Sequence, residues 1–180
     1  MKKFTTDALF LSFLLAILFS SCSSEKEQGK PNVILFLVDD LGWKDLSSYG
    51  SELYKTPNVD RLASEGVRFT NAYASSPVCS QTRASILTGK DPARMKCTDW
   101  ISGHKRPYAA LSPPKWTEYL NPEAATLAEL LKSIGYKTIH IGKWHLGEKE
   151  EYWPEFHGFD RNIGGWKMGR PKKVDKVGGY

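Results

Sequence analysis

Thr126-Leu127-Ala128-Glu129-Leu130-Leu131-Lys132-Ser133-Ile134-Gly135-Tyr136-Lys137-Thr138-Ile139-His140-Ile141-Gly142-Lys143-Trp144-His145 holds a complete helix-to-strand step. Thr126 with Glu129 three residues on is a capping box, in which each side chain satisfies a backbone N–H that the helix cannot bond internally. Leu127, Leu130, Leu131 and Ile134 recur at helical spacing and form one apolar face, and Gly135 closes the helix. Residues 137–142 then read as a strand. Helices alternating with strands predict an α/β fold with a mainly parallel sheet. Lys143 and His145 fall just past the strand's carboxyl end, the edge where open parallel sheets bind ligands. Taken alone, the two also fit a solvated lysine and a hydrogen-bonded histidine. His140, inside the strand, reads as a structural histidine.

Two further stretches bring chemistry to the same edge. Asn32-Val33-Ile34-Leu35-Phe36-Leu37-Val38 is a continuous apolar run and reads as a buried parallel strand. Asp39-Asp40 follow it directly. Adjacent carboxylates repel, and a hard cation such as Ca2+ or Mg2+ relieves that repulsion through oxygen ligation. Thr56-Pro57 starts a helix with Val59, Leu62 and Ala63 on its apolar face and Gly66 at its end. Residues 67–73 read as another strand, leading into Ser76-Pro77-Val78-Cys79-Ser80-Gln81-Thr82-Arg83-Ala84-Ser85-Ile86-Leu87-Thr88-Gly89. This is a polar loop entering a short helix, which Gly89 closes in the left-handed conformation. Cys79 stands at the helix entrance, where unbonded N–H groups favour an anion. Arg83 is one turn on, so its guanidinium can lie over Cys79. A nucleophile, a helix N-terminus and an arginine together suit a tetrahedral oxyanion such as sulfate or phosphate. Asn71, Tyr73 and Ser75 precede this loop, with turn or core roles the simpler reading.

Cys79, Thr82, Arg83, Leu87, Thr88 and Gly89 resemble the Cys-x-Pro-x-Arg signature of the type I sulfatases with its Leu-Thr-Gly ending. Gln81 departs from it, standing where the family usually has proline. Gly135 to Lys143 resembles the second signature of that family, and Asp39-Asp40 before Leu41-Gly42-Trp43 resembles its metal-binding motif. Trp153-Pro154 and His157-Gly158-Phe159-Asp160 resemble a stretch that commonly follows, and also fit a turn packed by aromatics. The resemblance implies an alkaline-phosphatase-like α/β fold, a mainly parallel sheet with helices on both faces, incomplete at the C-terminus. It implies a sulfuric ester hydrolase acting on sulfated carbohydrates or aryl sulfates. Cys79 would be converted to formylglycine by a formylglycine-generating or an anaerobic sulfatase-maturing enzyme, and the hydrated aldehyde would be the nucleophile. One divalent cation, Ca2+ in the family, would be held by Asp39, Asp40 and formylglycine 79. Arg83 would steady the formylglycine, Lys143 would bind sulfate oxygens, and His145 would orient or deprotonate the diol. The family's other metal ligands lie downstream, so residues 1–180 are expected to be an N-terminal part of the catalytic domain and inactive alone. A phosphate mono- or diesterase of the same superfamily is one alternative. A non-catalytic lipoprotein that binds sulfated glycans is the other.

The 180 residues are 41% apolar with six tryptophans, enough for one core and against global disorder. The formal charge of +5 is mild and scattered, which argues against nucleic acid as a partner. Lys2, Lys3 and the apolar run from Ala8 to Phe19 read as an export signal, too short to span a bilayer comfortably. Phe19-Ser20-Ser21-Cys22 resembles a bacterial lipobox. This gives a lipoprotein signal peptide over 1–21, a lipidated Cys22, a polar tether over 22–30 and a catalytic segment over 31–180. An ordinary secretory signal cut nearby fits as well. The expected location is the periplasm or outer-membrane surface of a Gram-negative bacterium, with acyl chains as the membrane anchor. In an oxidising compartment a Cys79–Cys97 disulfide rivals a nucleophilic role for Cys79. Residues 98–120 read as a long irregular insertion. Its Trp100, His104, Lys105, Arg106 and Trp116 suit a sulfated sugar and a packed surface loop equally.

Overall fold

The computed structural model describes residues 29–103, 107–111, 113–170 and 172. Cys22, the export signal and the His104-Lys105-Arg106 run lie outside them. The chain divides into two units, residues 1–38 and 39–180. In the first unit, residues 29–38 are exposed and form neither helix nor strand. This corrects the expected strand over 32–38. An apolar, β-branched run favours an extended backbone, but a strand exists only once a neighbour completes its hydrogen-bond ladder. No ladder among the described residues includes this run.

In the second unit, α1 (Pro57–Glu65), α2 (Cys79–Thr88) and α3 (Leu127–Ser133) precede β1 (Ile139–Ile141) and β2 (Arg161–Ile163). α1 starts at the expected Thr56-Pro57, yet it has no buried residue, and Leu62 is 70% exposed. Residues 67–73 form no strand either and are exposed throughout. Asn71, Tyr73 and Ser75 are therefore surface positions, not core ones. α2 ends where expected, on Gly89 at φ 65 with its N–H on Ser85 O at 2.7 Å.

The capping box of α3 is present in both directions. Glu129 N donates to Thr126 Oγ1 at 3.2 Å and Thr126 N donates to Glu129 Oε2 at 2.8 Å. Strand β1 is shorter than the six residues expected, and it pairs in parallel with β2 in the register Ile139↔Arg161, His140↔Asn162, Ile141↔Ile163. A parallel pair needs a crossover connection. The crossover here, residues 142–160, carries two 3-10 turns, Glu150–Tyr152 and Pro154–His157. Gly142, at φ 98, turns the chain out of β1 in a conformation that side chains disfavour.

The core gathers around this crossover. Ala84, Ile101, Leu120, Trp144 and Leu146 are each no more than 3% exposed, with Leu87, Met95, Trp153 and Phe159 packed against them. Burying a side chain such as Leu146 stabilises by about 2–3 kcal/mol. His140 packs edge-on against Trp144 and Phe159, as a core histidine would. Its Nδ1 is nevertheless buried without a hydrogen-bond partner, and burial lowers its pKa.

Candidate active site

Two core residues alternate with two polar ones along Lys143-Trp144-His145-Leu146. Trp144 and Leu146 are inside, which fixes the positions of their neighbours. Lys143 reaches Asp39, its Nζ donating to Oδ2 at 2.5 Å. Arg83, on α2, meets the same carboxylate, with Nη2 at 3.3 Å from Oδ1, while its Nη1 donates to the Lys143 carbonyl at 2.7 Å. The sequence allowed this guanidinium to lie over Cys79, but its polar contacts go to Asp39 and Lys143. Asp39 thus sits between two cations whose side chains are only 11% and 13% exposed. Partial burial opposes its ionisation. The hydrogen bond and charge of Lys143, then those of Arg83, outweigh that and hold its pKa below the usual carboxylate value.

Cys79 is the first residue of α2, and its Sγ lies 3.2 Å from His145 Nδ1. The other ring nitrogen of His145, Nε2, contacts the carbonyl of Ile101. His145 is 5% exposed. Burial is the chief cause that lowers its pKa; the Ile101 carbonyl opposes this, and the charges of Lys143 and Arg83 reinforce it. His145 and Asp40 also adopt left-handed backbones, φ 63 and 54. Such conformations are uncommon away from glycine and concentrate at functional sites.

Asp39, Cys79, Arg83, Lys143 and His145 therefore meet, all within residues 39–180. Asp40 is an exposed neighbour of Asp39. The disulfide alternative is absent: Cys79 and Cys97 are both free thiols. Cys97 is 2% exposed, and burial followed by the charge of Asp99 pushes its pKa up to about 11, which makes it inert.

The other signature residues are structural. Thr82 Oγ1 donates to Ser76 O at 2.8 Å, Thr88 Oγ1 donates to Ala84 O at 2.8 Å, and Leu87 packs on the core. Gln81 is 4% exposed, with its Oε1 unpartnered. Two groups at the site escaped the sequence reading: Ser80, fully buried beside Cys79, and the backbone of Ile101. A serine next to a site cysteine carries no pattern of its own, and a backbone carbonyl carries none at all.

Asp39 and Asp40 supply anionic oxygens of the kind that Ca2+ takes, so the donor chemistry fits a hard cation. Among the described residues, no group of three or more His, Cys, Asp or Glu suited to a metal occurs.

The sequence profile of the Sulfatase family matches residues 31–176. The chain belongs to the sulfatase family. It is 42% identical over 134 residues to the N-acetylgalactosamine-6-sulfatase of Sus scrofa, covering 74% of this chain and 25% of that protein. Over 166 residues it is 42% identical to the arylsulfatase G of Homo sapiens, covering 87% and 30%. Among solved structures it is similar to Ps i-CgsB, with TM-score 0.62 and 32% identity over 74% of this chain and 28% of that one. A second structure of Ps i-CgsB is a complex with a k-i-k-neocarrahexaose. This sulfatase-family chain spans about a quarter of the length of the curated relatives it matches. Its fold is the alkaline-phosphatase-like α/β fold of those structural neighbours.

Proposed function

We propose that the protein hydrolyses sulfate esters of carbohydrates or aryl alcohols, using residue 79 as a formylglycine. The observation that carries this reading is the junction itself. Position 79 stands at a helix N-terminus beside His145, with Lys143, Arg83 and Asp39 gathered in one cluster of the same unit. Family membership supports the reaction class, and the names of the two curated relatives support a sulfated substrate.

Oxidised to formylglycine and hydrated, residue 79 would supply two hydroxyls, one to attack sulfur and one to release sulfate. Asp39 and Asp40 would hold the divalent cation, Ca2+, which when bound makes the proton of a ligated oxygen more acidic. Lys143 offers Nζ to a sulfate oxygen and offsets the charge that develops there. Arg83 anchors Asp39 to the Lys143 carbonyl, so that the acid and the lysine stay in register. His145, neutral near pH 7 because burial depresses its pKa, accepts the proton of a hydroxyl at position 79 through Nδ1. Residues 1–21 act as the lipoprotein signal, and acylated Cys22 holds the enzyme at the periplasmic or outer-membrane surface. Its supporting observation is the lipobox pattern, and Cys22→Ala should release the protein from the membrane fraction.

The test uses the complete enzyme, of which residues 1–180 are expected to be the N-terminal part, co-expressed with a maturation enzyme. Mass spectrometry of the residue 79 peptide should show the aldehyde, and an aryl sulfate should be hydrolysed faster than the matching aryl phosphate. An intact thiol would leave a glycan-binding lipoprotein as the better account. Faster phosphate hydrolysis would favour an esterase of the same fold.

A further inference from the structure

We propose that Ser80 is a positioning residue that fixes both the loop and the ring tautomer of His145, so that the Nδ1 lone pair faces residue 79. This deepens the sulfate-ester reading and rests on it for its kinetic consequence. Ser80 is completely buried. Its Oγ donates to the His145 carbonyl at 3.0 Å and accepts the Ile101 N–H at 3.1 Å. One hydroxyl therefore joins α2, the His145 loop and the Ile101 loop immediately beside position 79.

The tautomer follows from the same triangle. The carbonyl of Ile101 has no proton, so His145 Nε2 carries the hydrogen of that contact. A neutral imidazole has a single N–H, which leaves Nδ1 as a lone pair 3.2 Å from Cys79 Sγ. The opposite tautomer would set two acceptors, Nε2 and the Ile101 oxygen, against each other. His145 also needs holding because its backbone is left-handed. Its N–H donates to Trp166 O at 3.2 Å, and Ser80 is the partner of its carbonyl. The ring is enclosed on its remaining sides. A Cβ at Gly169 would lie 3.1 Å from His145 Cε1, and the Trp100 ring centre is 6.0 Å away. Losing the Ser80 hydroxyl would leave the His145 carbonyl and the Ile101 N–H without their partner, and both loops free to shift.

The experiment combines 15N-histidine NMR with steady-state kinetics on the complete enzyme that contains residues 1–180. Rates are expressed per formylglycine measured by mass spectrometry, because Ser80 also lies within the segment that is matured. His145 of the unsubstituted protein should appear as the Nε2–H tautomer, and Ser80→Ala should show a mixture. Its kcat should fall about ten- to a hundredfold, with KM within about twofold, as for other partners that orient a catalytic group. Ser80→Thr, which restores the hydroxyl, should recover the single tautomer and most of kcat. An Nδ1–H tautomer in the unsubstituted protein overturns the proposal, whether or not the alanine variant folds. So does an alanine variant with unchanged tautomer and kcat, or one whose loss lies wholly in KM. If the matured enzyme shows no sulfate-ester turnover but Ser80→Ala still scrambles the tautomer, the positioning stands and the functional reading fails.

Discussion

Residues 47–69 and residues 79–163 are both folded, but by different physics. The first region is stitched by polar groups. Ser47 N donates to Thr56 Oγ1 and Thr56 N to Ser47 Oγ, both at 3.0 Å, and Ser48 N donates to Asp60 Oδ1 at 2.8 Å. Tyr49 Oη donates to Phe69 O at 2.7 Å, and Arg68 contacts the Ser48 carbonyl. Helix α1 buries nothing. The second region has the apolar core, and it holds every candidate catalytic residue, while the Asp39-Asp40 pair lies outside both regions. Hydrogen bonds near water contribute about 1 kcal/mol each, whereas a packed core resists displacement from all sides. A site that must hold several side chains to within a fraction of an ångström grows where such packing exists. Lys143 and His145, flanked by Trp144 and Leu146, are the case in point.

Two changes should separate the regions most strongly. Leu146→Ala opens a cavity at a residue with no exposure, and should cost about 2–5 kcal/mol in denaturant unfolding of the complete enzyme. A cost under about 1 kcal/mol would place the core elsewhere. Lys143→Met keeps the length of the stem and removes the charge. It should leave the denaturation midpoint nearly unchanged while lowering kcat on an aryl sulfate by about a hundredfold or more. A large stability loss with normal turnover would make Lys143 a structural partner of Asp39 and nothing else.

The features legible in the sequence were those that a few neighbouring residues decide. The Thr126–Glu129 capping box, the Thr56-Pro57 start and the Gly89 stop are all local, and all three helices begin as their residues imply. The strands were less legible. Residues 32–38 and 67–73 have the composition of strands, but residues far away in sequence decide whether a ladder forms. Residues 137–142 had the same local signal, and only 139–141 pair, because only they face Arg161–Ile163. The candidate site residues were proposed because three readings ended at one sheet edge and resembled one family. Ser80 stayed hidden because its bonds go to the backbone of His145 and Ile101, where side-chain identity leaves no trace. His157 read as part of a turn packed by aromatics, and it is wholly buried against Trp144, its carbonyl accepting from Thr126 Oγ1 at 2.8 Å.

A smaller change tests the polar region. Thr56→Val keeps the shape of the side chain and deletes a hydroxyl that accepts from Ser47 N and donates to Asp60 Oδ1 at 3.0 Å. The expected loss is about 1 kcal/mol, with hydrogen exchange quickening across residues 47–65 and the candidate site unaffected. If exchange also quickens at residues 139–146, the two regions unfold as one.

The finest distinction is electrostatic. Each region contains a carboxylate with a lowered pKa, but the causes differ. Asp160 is held at about 2, chiefly by the Lys132 ammonium 2.7 Å away, then by the Thr138 backbone. Loss of solvent opposes ionisation of Asp60, and hydrogen bonds from Thr56, Ser47 and Ser48 outweigh it; all of these donors are neutral. A folded pKa below the unfolded value means that the unfolded chain binds protons first as pH falls. For Asp160 the stabilisation is therefore present above about pH 4 and is lost between there and about pH 2, and for Asp60 it is lost as pH falls through the lowered folded pKa. Both residues share this sign, and salt tells them apart. Raising ionic strength from about 0.01 to 1 M shortens the screening length from about 30 to 3 Å, which weakens the half-exposed Lys132–Asp160 pair and spares neutral donors. Lys132→Met should therefore flatten the acid limb of stability at low salt and change it little at high salt. Thr56→Val should flatten its own contribution equally at both. Equal salt sensitivity in the two variants would mean that Asp60 is held by charge after all.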